Sequence, residues 1–350
     1  AGGVTSFVLM PDTTPVIDDG ALVDFVLRRA GAKASVNILP AAAITRGLKG
    51  EEITEFGLLK EAGAVALSDG RESIQSAGLL RAAFTYARNF DLPVIHHVAE
   101  RTLVGDGVMN EGALATISGL KGIPVEAETI PLARDLQLAA LTGVRYHAAQ
   151  VSTGAAVELL TAAKRRLGTV SAGISINNLA LNENDVAPYR SFFKLSPPLR
   201  SEDDRRAVID GLNSGAIDTI HSAHDPQDTE VKRQPFAEAS DGAVGLETLL
   251  TAALRLMHSG DVPLLTLLRA MTSRPAELLG LKSGRIATGA PADLIIVDPD
   301  FPWVVKETAL RSRSRNSAFE GARMQGAVMH TFVAGRLVFS HAATTEGADA

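Results

Sequence analysis

The sequence predicts an α/β protein built on a (β/α)8 TIM-type barrel with a small β module at its C-terminal end. Two observations predict it. Short apolar, β-branched runs alternate with amphipathic helical stretches for most of the 350 residues, which is the pattern of a parallel sheet buried between helices. Polar and ionisable residues cluster where these runs end, at Asp69, His96, His97, Gln150, His221 and His224, and barrel enzymes place their chemistry at strand C-termini. No GxGxxG follows a strand, so a dinucleotide-binding fold has no support.

The candidate strands, in order, are "TSFVLM" (5–10), "SVNILP" (35–40), "AVALSD" (64–69), "LPVIHH" (92–97), "RYHAAQVS" (145–152), "TVSAGIS" (169–175) and "AIDTIHSA" (216–223). Helical patterns lie between them in "DGALVDFVLRRAGA", "GEEITEFGLLKEAG", "ESIQSAGLLRAAFTYARNF" and "TGAAVELLTAAKRRLG". A closed barrel needs eight strands, so the first is expected upstream of Ala1. After "MTSRPAELLGL" the texture changes, and "SGRIATGAPADLIIVDPDFPWVV" and "VMHTFVAGRLVF" read as strands with Gly and Pro turns. Polar, basic "KETALRSRSRNSAFEGARMQG" between them reads as loop. The expected organisation is a barrel over 1–282, the β module over 283–340 and a disordered tail over 341–350.

Composition bounds the partners and the chemistry. A formal charge of −6 argues against nucleic acid or an anionic membrane surface. No apolar stretch reaches the ~18 residues of a membrane span. The chain has no cysteine, so disulfides, thiolate metal sites and Cys nucleophiles are excluded, which fits a cytoplasmic protein.

Taken together, "MPDTTP" (10–15), "AITRGLKGEE" (43–52), "AGAVALSDG" (62–70), "VIHHVAE" with "GVMNEG", "VSTGAAVELL", "FKLSPPLRSEDDR", "GAVGLETLL" and "GAPADLIIVD" resemble a dihydroorotase of the amidohydrolase superfamily. The resemblance implies a metal-dependent barrel, a β-sandwich built from both chain ends, and reversible closure of N-carbamoyl-aspartate to dihydroorotate. Opening a cyclic amide needs a hydroxide and a polarised carbonyl, which Zn²⁺ held by His and carboxylate supplies. A further Asp moves the proton.

Against that pattern the site is depleted. The His-x-His pair and a neighbouring Arg would lie upstream of Ala1. Thr14 and Ser196 stand where the family's substrate-binding Asn residues belong. Asp69 matches one acid of a usual pair and Gly70 the other. His97 matches a metal-binding His, while Gln150 occupies the place of another. Where the family reads TDHAPH the chain has "SAHDPQ", so Ala223 replaces the catalytic Asp and Gln227 a substrate-contacting His. Alanine cannot transfer a proton, and a neutral amide is a poor zinc ligand. The expectation is therefore no catalytic residue, a vestigial pocket of Thr14, Ser196 and Gln227, and metal remnants at His97, Asp69, Gln150 and His224 without a bound cofactor.

The remaining histidines have plainer roles. His96 is expected against a helix, and His147 only as a substitute ligand. His221 and His224 read as hydrogen-bonded structural histidines, with an improvised site using Asp225 or Asp228 as the alternative. His258, His330 and His341 read as surface or helix-end residues. By resemblance to inactive family members, the expected role is a structural subunit for the aspartate transcarbamoylase catalytic chain, in a homo-oligomer or mixed oligomer. Its rivals are an active zinc dihydroorotase or cyclic amidase with a rearranged site, and a small-molecule sensor using the old pocket.

Overall fold

The computed structural model describes residues 1–341. Seven parallel strands form one sheet: β1 (Ser6–Leu9), β2 (Asn37–Ala43), β3 (Ala66–Ser68), β4 (Val94–His96), β7 (Tyr146–Ala148), β8 (Val170–Ser175) and β9 (Thr219–His221). Between β4 and β7 the chain makes a small parallel pair, β5 (Met109–Asn110) and β6 (Gly122–Ile123). Each strand expected from sequence is present and is paired in the expected direction. The sheet is the parallel wall of the expected TIM-type barrel.

Strand alternation separates two layers. Ala42, Leu67 and Val94 join Leu80, Phe84 and the other helix residues in the main core. Their neighbours Ala41, Ala66 and Ile95 pack with Val8, Met10 and Ala149 in a second cluster, the filled inner face of the barrel. Three small alanines there leave the interior room for imidazoles.

Local chemistry sets the helix starts. Asp19, Ser76, Thr153 and Ser201 each accept a hydrogen bond from a first-turn backbone N–H, opening the helices Gly20–Lys33, Ala77–Arg88, Gly154–Lys164 and Glu202–Ser214. The pattern in 50–63 overstates its helix, which spans only Phe56–Glu61. Thr45 bridges Ile53, and Thr54 Oγ1 donates to Ala43 O at 2.6 Å, so 51–54 stays with the sheet.

The C-terminal strands β10 (Leu294–Val304), β11 (Arg323–Val333) and β12 (Arg336–Ser340) form an antiparallel sheet. It leans Ile295, Val297, Val328 and Phe339 on Leu250 and Leu254 of the helix Leu249–His258. β11 starts inside the segment read as loop. His330 is a mid-strand residue of β11 and not a surface or helix-end one, with Nδ1 buried and unpartnered. His258 ends its helix as expected, 3.5 Å from Asp300. Of the tail 341–350, His341 is held by its N–H on Met329 O at 2.7 Å; residues 342–350 lie outside the described residues. No helix among the described residues is long and apolar enough to cross a membrane.

Candidate functional site at the barrel mouth

The C-terminal ends of the strands gather the residues singled out by sequence, and most of them are engaged elsewhere. Asp69, at the end of β3, is 1% exposed. Its Oδ1 accepts the N–H groups of Ile44 and Thr45 at 2.8 and 2.9 Å, and its Oδ2 accepts Thr45 Oγ1 at 2.5 Å. Burial pushes its carboxyl above the usual range, against these hydrogen bonds. It ties the loop after β2 to β3.

The two neighbouring histidines at the end of β4, His96 its last residue and His97 just after it, point to opposite faces. His96 is fully buried on the helix side: Nε2 accepts Ile74 N–H at 3.0 Å, so the proton sits on Nδ1 and is donated to Asp135 Oδ2 at 2.6 Å. Tyr146 O–H and Arg134 bind the same carboxylate. His97 faces the mouth, 8% exposed, with Arg71 and His221 as charged or ionisable neighbours. Desolvation, with help from His96, Arg71 and His221, pushes its pKa down to about 4.

The interior holds two further imidazoles. His147 binds Ser171 Oγ at 2.8 Å through Nδ1. A Cβ at position 173 would lie 3.0 Å from His147 Nε2 and 2.8 Å from Thr219 Oγ1, so Gly173 is required for this packing. His221 leaves Nε2 buried without a partner. Burial lowers the pKa of both rings to about 4, so at neutral pH the barrel interior carries uncharged imidazoles.

The segment after β9, an edge strand of the sheet, completes the mouth-facing loops. Ala223 has φ +44°, a left-handed conformation that costs an alanine about 1 kcal/mol. His224 Nδ1 accepts the N–H groups of Gly245 and Leu246 at 3.2 and 3.4 Å, anchoring the segment before the helix Leu249–His258. Gln227 Nε2 donates to Asp225 Oδ1 at 2.8 Å. Thr14 and Ser196 are exposed on their loops, and Gln150 is half-buried.

Zinc, which the fold family implies, needs several free lone pairs or carboxylate oxygens converging on one point. Among the described residues no three His, Cys, Asp or Glu side chains do so. Asp69 and His224 have spent theirs, Gln150 is a neutral amide, and His97 has a guanidinium beside it. The described residues do not fit the metal.

Sequence reasoning missed Arg71, whose Nη1 donates to Asp225 Oδ2 at 2.8 Å and whose Nε lies 3.5 Å from Asp12 Oδ2. The available signal was that Asp12 and Asp225 are acids where the family motifs spell Asn and Ala. It also missed Glu128. That carboxylate, 3% exposed, accepts the N–H and hydroxyl of both Ser152 and Thr153. Arg200 is buried and donates to Ser152 Oγ at 3.1 Å and to Asn110 Oδ1 and Ile123 O at 2.9 Å.

Comparison with known proteins matches residues 1–156 to the "Dihydro-orotase-like" family model and 235–339 to the "Amidohydrolase family" model. A curated dihydroorotase of Anaeromyxobacter dehalogenans is 43% identical over 340 residues, covering 97% of this chain and 78% of that protein. One of Geotalea daltonii is 43% identical over 338 residues, covering 97% and 80%. The solved L-hydantoinase (dihydropyrimidinase) of Arthrobacter aurescens is similar with a TM-score of 0.86 at 26% identity, over 97% of this chain and 78% of that one. The dihydropyrimidinase of Brevibacillus agri, with a TM-score of 0.81 at 19% identity over 97% and 77%, shares the fold.

Proposed function

The chain belongs to the dihydroorotase family, and from that premise we propose that it serves pyrimidine biosynthesis as a catalytically inactive homologue. Its role in this reading is architectural: a subunit that binds the aspartate transcarbamoylase catalytic chain within a mixed oligomer. The partner comes from the family resemblance. The inactivity rests on the site.

The observation that carries it is the dispersal of the metal candidates. Asp69 holds Thr45, His224 holds Gly245, and position 223 has no acid. Loss of one general acid/base costs about 10²–10⁴-fold, and among the described residues no three ligand side chains converge to hold a polarising ion. The retained motifs instead supply Ser152 and Arg200 to a buried network around Glu128 that shapes the loops.

A second reading is a working zinc dihydroorotase or cyclic amidase that hydrolyses dihydroorotate to N-carbamoyl-aspartate. The name of the relatives at 43% identity favours it. Metal analysis with a dihydroorotate hydrolysis assay on the natural full-length polypeptide separates the two. The first reading expects substoichiometric zinc, no turnover, and co-purification with the transcarbamoylase. Stoichiometric zinc with turnover overturns it in favour of the second.

A further inference from the structure

Three loops meet at the mouth, following β1 (10–15), β3 (69–75) and β9 (222–228), and one side chain touches all three. We infer that Asp12, Arg71 and Asp225 form a built-in ionic clamp, in which a guanidinium joins carboxylates from the loops after the two edge strands of the sheet, β1 and β9, and ties them across the mouth. The inference rests on the reading of the mouth as non-catalytic and adds what holds it together.

The geometry is that of a prepared site and not of a chance surface pair. A Cβ at Gly70 would lie 2.8 Å from Asp12 Cγ, and one at Gly242 would lie 2.3 Å from Asp225 Oδ2. Both glycines have positive φ, +63° and +112°, where side chains are strained. Each therefore makes room for one acid of the clamp. Asp225 is further fixed by its own N–H on Ala243 O at 2.8 Å and by Gln227 Nε2 on its second oxygen at 2.8 Å. What remains of its Oδ2 faces Arg71. The two acid side chains are each 28% exposed and that of Arg71 62%, so the clamp is half in water and sensitive to salt.

The choice of arginine follows from reach. A planar fork presents separate N–H groups to two carboxylates, whereas an ammonium is a single point charge. The neighbouring imidazoles of His97 and His221 are neutral, so the two carboxylates find their cation in Arg71. The same arrangement disfavours a divalent ion. A guanidinium already holds the acids, and an acid restored at position 70 would collide with Asp12.

A double-mutant cycle tests the clamp. Asp12→Asn and Asp225→Asn are made in the natural chain and in Arg71→Met, and thermal unfolding and amide exchange of loops 10–15 and 222–228 are followed. With Arg71 present, each Asn should lower the melting temperature by about 2 °C. In Arg71→Met neither should lower it, because the partner is gone. Exchange in both loops should rise together several-fold in Arg71→Met, and less in Arg71→Lys. Equal shifts in both backgrounds, or loosening of one loop alone, would overturn the clamp. Should Arg71→Met not fold, raising salt to about 1 M on the unaltered chain reads the same coupling: joint loosening supports the clamp, and indifference to salt overturns it. Turnover is not the readout. A coupled clamp in a chain that hydrolyses dihydroorotate sinks only the proposed function, and uncoupled loops in an inert chain sink only the clamp.

Discussion

The loops after β7 and β9 leave the same end of the barrel, yet they treat their polar groups in opposite ways. After β7, Ser152 and Thr153 give two N–H groups and two hydroxyls to Glu128, and Arg200 binds Ser152 from the other side. After β9, Ala223 offers no polar side chain, His221 keeps an unpartnered ring nitrogen, and Asp225 turns outward to Arg71. The first arrangement is rigid because every buried polar atom is satisfied. The second leaves uncharged rings facing the space in which the family does its chemistry. In this chain, Ser152 and Arg200, which lie in family-like motifs, hold the rim, whereas Ala223, a departure from the motif, makes no polar side-chain contact.

Acid should expose the difference most strongly. The pKa of His97, His147 and His221 is held at about 4 in the folded chain, against about 6.5 when unfolded. The unfolded chain thus binds protons first, and the stability these rings allow at neutral pH is lost as pH falls from about 6.5 towards 4. Urea unfolding at pH 5 should show a loss on the order of 4 kcal/mol relative to pH 7. Proton NMR should find His97, His147 and His221 uncharged through that range. Rings that titrate near 6.5 would mean an open, wet interior and would erase the contrast.

Glu128→Gln probes the other side. An amide turns N–H towards backbone donors that expect a carboxylate, which should cost about 2 kcal/mol in urea unfolding at pH 7. A change within error would show that the motif residues are not what holds the rim. The smallest effect is expected at Ala223→Gly. Relief of the left-handed alanine should gain about 0.5 kcal/mol in the same measurement. A clear loss there would mean that the methyl group supports the β9 loop and that both loops are structural.

Much of the fold was legible along the chain. Seven apolar runs became seven strands, and Ser201 capped its helix through Asp204 N–H as its spacing suggests. The shortened helix at 56–61 was not legible, since Thr45 and Thr54 hold the preceding residues through contacts across the sheet. Nor was the site. The identity of position 223 could be read directly, but the fate of Asp69 depends on Thr45 and that of His224 on Gly245, residues placed beside them only by folding.

By itself the sequence determined the alternation of strand and helix, the absence of thiol chemistry and the lack of an acid at position 223. Those are properties of residue type and period, and no arrangement in space can alter them. Tertiary structure alone decided which surviving polar groups are spent on one another. Arg71 meets Asp225 from 154 positions away, and Asn110 meets Arg200 from 90. A hydrogen bond reaches only about 3 Å, so whether such groups are free to bind anything else is settled when the barrel brings them together.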